Sequence, residues 1–296
     1  MDAIAIIGKS SKSILIFIIL TIVLLMTKGC SSGEDPTTTL PPPITITDPP
    51  ATAETTDQIL DGSLTSNYNS ETYPFTIFLP AVFETDKNLP VIYLTDGLYL
   101  FEILLQKSKE IGLQAIIVAI GDKEGTDPDR VRDYSPSFCG ASTIDGFDNY
   151  YNLITQQLVP FVDENYENDR SSRSLIGYSF GGRFAVAALL MENPEAVIFH
   201  SSIAVDPAFG CAGDSFSGLI NELDDLIISA NSVESFKLFR TRSSAFELNG
   251  FNEYMGAQDM DLPWFDFGFI ELLNEDHESV VGPSLAAGLR YVYDIN

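Results

Sequence analysis

The segment around Ser179 constrains the fold of this chain more than any other part of the sequence. It reads Ile176-Gly177-Tyr178-Ser179-Phe180-Gly181-Gly182, between an apolar run and a stretch rich in alanine. Glycines two positions before and after a serine let a strand and the following helix approach closely, because they carry no Cβ atom. The pattern therefore predicts a sharp strand-to-helix turn that holds Ser179 at strained backbone angles.

Apolar and amphipathic stretches alternate along the remainder of the chain, as in a sheet covered by helices. Predicted strands span residues 73–79, 91–94, 115–120, 174–177, 197–205, 236–242 and 267–273, and predicted helices span residues 98–111, 146–166, 181–191 and 284–293. Pro160 is expected to kink the second helix. The predicted fold class is α/β, with a mostly parallel, doubly wound sheet and helices on both faces.

The composition excludes several classes of protein. The 296 residues include 42 Asp and Glu against 16 Lys and Arg, a net charge of −26. Such a chain has no basic surface to neutralise phosphates, so nucleic-acid binding is excluded. Hydrophobic residues make up 45% of the chain, which is enough for a sizeable core. With two histidines and no Cys-x-x-Cys pair, the usual zinc spacings are absent, and no metal or cofactor is expected.

A serine hydroxyl needs a base to become a nucleophile, and the chain has two histidines. His200 lies within the apolar segment 196–200, where a structural histidine is the better interpretation. His277 follows the last predicted strand through the polar turn 274–276, and a loop after the last strand is where an α/β-hydrolase carries its histidine. His277 is therefore predicted as the base for Ser179.

The acid that orients this histidine should lie between Ser179 and His277 in the chain. Glu247 is favoured, because it follows the predicted strand 236–242 and precedes His277. Three aspartates are the alternatives: Asp206, Asp259 and Asp261. Asp206 directly follows a predicted strand and precedes a proline.

The start of the chain has the features of an export signal. Lys9 and Lys12 precede the apolar run 14–26, which is too short to span a bilayer as a helix. The next residues, ending in Gly29-Cys30, resemble the lipobox of bacterial lipoproteins, although Lys28 departs from that pattern. The resemblance implies cleavage before Cys30 and a lipid on its sulfur atom.

These features divide the chain into three parts. Residues 1–29 are predicted as a signal peptide, residues 30–58 as an acidic tether rich in proline and threonine, and residues 59–296 as the catalytic domain. The protein is expected to be exported and held by its lipid on a bacterial membrane, on the periplasmic or the cell-surface side. In this location a disulfide between Cys139 and Cys211 is favoured over two free thiols.

Several motifs, taken in order, resemble the esterase family of the α/β-hydrolase superfamily that includes siderophore esterases, S-formylglutathione hydrolase, and feruloyl and acetylxylan esterases. The resemblance covers about residues 65–295. Its motifs are residues 89–97 (LPVIYLTDG), 132–136 (RDYSP), 158–162 (LVPFV), 177–182 (GYSFGG) and 276–280 (DHESV).

The resemblance implies that a Ser-His-acid triad hydrolyses a carboxylic ester through an acyl-enzyme, with oxyanion donors at the backbone amides of Leu98 and Phe180. The expected partner is a small-molecule or carbohydrate ester, such as an acyl sugar, feruloyl or siderophore ester. The strongly negative charge of the chain favours the neutral esters among them. An acyltransferase on the same fold and a catalytically inactive surface lipoprotein that binds ligands are the alternatives.

The lipid anchor can be tested on the mature amino terminus. Mass spectrometry of the protein from an exporting bacterial host should find Cys30 as the first residue, with diacylglycerol on its sulfur atom. Cys30→Ser should abolish both the lipid and the partitioning of the protein into detergent. An unmodified Cys30, or cleavage several residues away, would show that the protein is secreted without a lipid anchor.

Overall fold

A nine-stranded sheet runs through the part of the chain that the computed structural model describes. The described residues are 44–46, 56–83, 85–86, 88–121, 127–139, 145–209, 213–230, 232, 234–245 and 262–296. The predicted signal peptide and Cys30 lie outside these residues. No helix among the described residues combines the length and the apolarity that crossing a bilayer requires.

The strands follow the order β1-β2-β3-β5-β4-β6-β7-β8-β9 across the sheet. They are β1 (Thr45–Ile46), β2 (Gln58–Thr65), β3 (Thr72–Leu79), β4 (Val91–Leu94), β5 (Ile116–Ile120), β6 (Arg173–Tyr178), β7 (Ser201–Val205), β8 (Phe236–Ser243) and β9 (Phe265–Leu272). Strands β4 to β9 are parallel, whereas β1, β2 and β3 add an antiparallel edge. The carboxyl ends of the parallel strands therefore meet at one edge of the sheet.

Helices cover both faces of this sheet. They are α1 (Gly97–Glu110), α2 (Asp127–Tyr134), α3 (Gly146–Leu153), α4 (Val159–Asn165), α5 (Phe180–Leu190), α6 (Gly213–Ala230) and α7 (Val281–Val292). Helices α1 and α7 contribute to one buried apolar cluster, and α3 to α6 contribute to the other. In β4, Ile92 and Leu94 belong to the first cluster and Val91 and Tyr93 to the second, as the two-residue period of a strand requires. The predicted α/β fold class is confirmed.

The structure differs from the sequence-based prediction in several elements. The predicted helix 146–166 is divided, because a π-helical segment, Ile154–Leu158, separates α3 from α4 just before Pro160. Within residues 30–58, which are predicted as a tether, β1 pairs with β2 and Ile44 packs against the core, so this short stretch contributes to the sheet. Strand β2 and helices α2 and α6 were not predicted.

The buried carboxylate of Glu192 determines where β7 begins. The predicted strand 197–205 starts only at Ser201, because the amides of Ile198 and Phe199 donate hydrogen bonds of 2.8 and 3.1 Å to the two carboxylate oxygens of Glu192. Burial raises the pKa of Glu192 to about 7, although these two amides lower it. The carboxylate thus organises the turn that connects α5 to β7.

This buried group predicts a dependence of stability on pH. A carboxyl whose folded-state pKa rises from 4.5 to about 7 contributes stability that is fully present below about pH 4.5 and is lost as the pH rises through about 7. The difference in unfolding free energy between the wild type and Glu192→Gln should therefore fall by about 3 kcal/mol across that interval, as measured by denaturant unfolding. If the difference in unfolding free energy between the two proteins does not depend on pH, the pKa of Glu192 is not raised in the folded state.

Candidate active site

Ser179 lies between the end of β6 and the first residue of α5, in a strained turn. Its φ is 58° and its ψ is −114°, a conformation that residues with a Cβ atom rarely adopt. Hydrogen bonds hold the turn in place, since the Ser179 amide donates to the carbonyl of Val205 at 3.0 Å and the Ser179 carbonyl accepts from the amides of Arg183 and Ala208. The predicted strand-to-helix turn is present in the structure.

Two glycines make this turn possible. A Cβ atom at Gly177 would overlap the carbonyl of Gly181, and a Cβ atom at Gly181 would overlap the side chains of Thr95 and Asp96. A side chain at Gly177 would therefore require the backbone to move, and one at Gly181 would displace the side chains of Thr95 and Asp96. The glycine spacing noted in the sequence is thus a steric requirement of the packing between β6, α5 and the start of α1.

His277 lies in the loop after β9, and its imidazole contacts a buried carboxylate. The Nδ1 of His277 is 2.7 Å from the Oδ2 of Asp206, whose side chain is 1% exposed, whereas the side chain of His277 is 31% exposed. Asp206 directly follows β7, with a φ of 42°. An imidazole held at Nδ1 by a carboxylate has its Nε2 directed away from that carboxylate, which is the arrangement of a general base.

Strand β8 holds the carboxylate of Asp206 in place. The backbone amide of Ser243 donates to Oδ1 at 2.7 Å, and the Ser243 hydroxyl donates to Oδ2 at 2.6 Å. The backbone amide of Asp206 donates to the hydroxyl of Thr241 at 3.2 Å. These contacts satisfy both oxygens of a buried charge, whose removal from water would otherwise be costly.

The carboxylate that the structure shows at the Nδ1 of His277 belongs to Asp206, one of the alternatives that the sequence left open. Glu247 lies outside the described residues, as do the alternatives Asp259 and Asp261. The Nδ1 of His277 is held by Asp206 instead, because β7 pairs directly with β6 and its carboxyl end therefore emerges beside Ser179. The sequence signal was present, since Asp206 ends a strand and precedes a proline, but the order of strands in the sheet was not known.

The two predicted oxyanion donors lie at the amino ends of helices. Leu98 is the second residue of α1 and Phe180 the first residue of α5. The first amides of a helix have no acceptor within that helix, and the helix dipole is positive at this end. Asp96, with a φ of 56°, starts α1, because its carbonyl accepts from the amides of Tyr99 and Leu100. Both helix ends are therefore suited to a negatively charged oxygen.

Two arginines surround Phe180. The guanidinium carbons of Arg130 and Arg183 lie 5.7 and 4.8 Å from the centroid of its ring. Arg130 pairs with the carboxylate of Asp96 at 2.7 Å, and Arg183 donates to the carbonyl of Ala208 at 3.3 Å. Burial lowers the pKa of Arg183 to about 10, so this side chain is still positively charged at neutral pH. Two arginine side chains thus lie against the residue that follows Ser179, and that of Arg130 is paired with a carboxylate.

Other residues singled out in the sequence lie elsewhere. His200 is next to the amino end of β7, with its Nε2 3.7 Å from Glu234, and burial lowers its pKa. Cys139 is disulfide-bonded, but Cys211 lies outside the described residues, so its pairing with Cys139 stays a prediction. Within the described part of the chain, no group of three or more potential metal ligands is found.

Comparison with known proteins assigns the chain to a family. Ferri-bacillibactin esterase BesA of Bacillus subtilis is 23% identical over 259 residues, which is 77% of this chain and 87% of BesA. The uncharacterised protein YbbA of the same organism is 31% identical over 146 residues, but the match spans only 56% of YbbA and 44% of this chain.

A solved structure and a family profile agree with these matches. The crystal structure of the BES protein from Bacillus cereus aligns with a TM-score of 0.66 at 24% identity, over 84% of this chain and 98% of that one. The profile of the family described as "Putative esterase" matches residues 66–264, more than half of the chain. The chain therefore belongs to this family of carboxylic ester hydrolases and has the α/β-hydrolase fold.

Proposed function

We propose that this protein is a serine esterase in which Ser179 is the nucleophile, His277 the general base and Asp206 the acid that orients the base. The observation that carries the proposal is the 2.7 Å contact between His277 and Asp206, beside a serine at strained backbone angles. Membership of the esterase family supports the reaction class.

In the proposed mechanism, the Nε2 of His277 takes the proton of the Ser179 hydroxyl as its oxygen attacks the carbonyl carbon of the ester. The amides of Leu98 and Phe180 donate hydrogen bonds to the oxygen that becomes negative. His277 then gives its proton to the departing alcohol, and a water molecule releases the acyl group by the same sequence of steps. The negative charge of Asp206 stabilises the imidazolium throughout.

The substrate class that we propose is a siderophore ester. The similarity to a ferri-bacillibactin esterase over 77% of the chain supports this choice. The net charge of −26 repels an anionic ester at long range, but Arg130 and Arg183 lie close to the proposed nucleophile. Salt screens exposed charges beyond about 10 Å at 0.1 M, so carboxylates beyond that distance act only weakly on a bound ester, whereas the charge of Arg130 is paired with that of Asp96.

Three substitutions test the assignment of the triad. Ser179→Ala should abolish turnover of a short-chain p-nitrophenyl ester and labelling by a fluorophosphonate, with little change in melting temperature. Asp206→Asn should lower kcat by a factor on the order of 10³ to 10⁴, because the imidazole loses its orienting charge. Glu247→Gln is the matched control and should retain the activity of the wild type. A loss of turnover in Glu247→Gln together with an active Asp206→Asn would return the role to Glu247.

The substrate class can be tested with a panel of esters. The value of kcat/KM should be higher for a catecholate siderophore ester than for a feruloyl ester or acetylated xylan. Raising the ionic strength from about 0.05 to about 0.2 M should increase kcat/KM for the anionic ester by about twofold, because salt screens the long-range repulsion, and should leave a neutral ester unaffected. If only the neutral esters are turned over, siderophore esters are excluded as the substrate class, whereas the proposal that the protein is a serine esterase stands.

A further inference from the structure

The side chain of Tyr178 connects the turn that carries Ser179 to the loop that carries His277. Tyr178 is the last residue of β6 and is peptide-bonded to Ser179. Its hydroxyl donates a hydrogen bond of 2.7 Å to the backbone carbonyl of His277. Its ring lies over the imidazole, with the centroids 4.6 Å apart and the planes 30° apart. One side chain next to the proposed nucleophile thus contacts both the backbone and the ring of the proposed base.

The hydrogen bonds within the His277 loop, and those between this loop and β8, do not fix the position of His277 relative to Ser179. The Asp276 carboxylate accepts the amides of Glu278 and Ser279 at 3.0 and 2.8 Å, which organises the loop internally. Ser244 donates to the carbonyl of Glu275 at 3.0 Å, which attaches the loop to the end of β8. Strands β7 and β8 lie between β6 and β9, so neither contact relates the loop directly to the turn at the end of β6.

Asp206 and Tyr178 constrain the imidazole in different ways. The contact with Asp206 fixes the position of Nδ1 but permits rotation of the ring about that hydrogen bond. The ring of Tyr178 limits this rotation, and its hydroxyl fixes the backbone of residue 277. Burial raises the pKa of Tyr178, so its hydroxyl keeps its proton and can donate at neutral pH.

We propose that Tyr178 is a positioning residue, which holds His277 at the distance and orientation from which its Nε2 reaches the hydroxyl of Ser179. This inference rests on the proposed function, since it assigns the residue before the nucleophile a role in the same triad. Misplacement of a reacting group by about 1 Å can lower a rate by about 100-fold, so a contact that controls this distance affects kcat strongly. Substrate binding does not depend on it.

Two substitutions of Tyr178 separate the contribution of its hydroxyl from that of its ring. Tyr178→Phe removes only the hydrogen bond and should lower kcat about 3- to 10-fold with KM unchanged. Tyr178→Leu also removes the ring and should lower kcat about 10- to 100-fold, again with KM unchanged. Both are assayed well below their measured unfolding temperatures. A kcat in Tyr178→Leu equal to that of the wild type would overturn the proposal.

A second measurement does not require turnover. A proton on the Nδ1 of His277 that is hydrogen-bonded to Asp206 should give a downfield NMR resonance, which is assigned by its loss in His277→Gln. Tyr178→Phe should keep this resonance, whereas Tyr178→Leu should broaden or remove it. An unchanged resonance in Tyr178→Leu would overturn the proposal. If the wild type has the resonance and Tyr178→Leu loses it, but no ester is turned over, the positioning contact stands and the proposed function fails.

Tyr291→Phe is the matched control. The hydroxyl of Tyr291 donates to Asp266 near the amino end of β9, and its ring packs on Phe239 with centroids 5.2 Å apart. Tyr291→Phe therefore also loses a hydrogen bond donated by a tyrosine hydroxyl, at the amino end of β9 and not at the carboxyl ends of the strands where Ser179 lies. This variant should have the kcat and the Nδ1 resonance of the wild type. If kcat falls equally in Tyr291→Phe, the loss of kcat in Tyr178→Phe reflects a general effect on stability. That outcome would overturn the proposal.

Discussion

The buried carboxylate of Asp206 is the interaction on which the rest of the candidate site depends. A carboxylate removed from water destabilises a protein by several kcal/mol unless hydrogen bonds replace its hydration. Here the amide and hydroxyl of Ser243 and the imidazole of His277 supply those bonds. The same three contacts join the ends of β7 and β8 to the loop after β9. The charge is therefore stable only when these three segments are correctly assembled.

Close packing around Ser179 provides the second constraint. The turn between β6 and α5 is held by the carbonyl of Val205 on one side, and Gly181 allows the side chains of Thr95 and Asp96 to approach on the other. Asp96 in turn pairs with Arg130 and starts α1. The serine, the two helix amino ends and an arginine thus occupy one small region, because the parallel strands bring their carboxyl ends together.

The distribution of charge bears on the proposal that the substrate is an anionic siderophore ester. The net charge of −26 is that of the whole chain, and exposed charges farther from a site than about 10 Å are largely screened at 0.1 M salt. Arg130 and Arg183 lie close to the ring of Phe180, where the surrounding protein screens them less. Composition alone therefore does not give the charges near Ser179, where Arg130 is paired with Asp96 and Arg183 lies beside Phe180.

The sequence by itself determined the elements whose signals are local. The strand 91–94, the turn at Ser179 and the helix that ends before Gly112 follow from short runs of apolar residues and glycines, and the scarcity of histidines singled out His277. Helix α6 was missed although Ile220, Leu223 and Ile227 form a buried stripe along it, so its pattern was available. Strand β2 has few buried residues and gave a weaker signal.

Only the tertiary structure decided which carboxylate meets His277 and which side chain fixes its ring. Asp206 and Glu247 both lie between Ser179 and His277 in the chain, and chain order cannot distinguish them. The pairing of β7 with β6 brings Asp206 to the imidazole, and the loop after β9 returns across two strands to meet Tyr178. Such contacts join residues that are far apart in sequence, and they depend on the order of strands in the sheet, which no local pattern encodes.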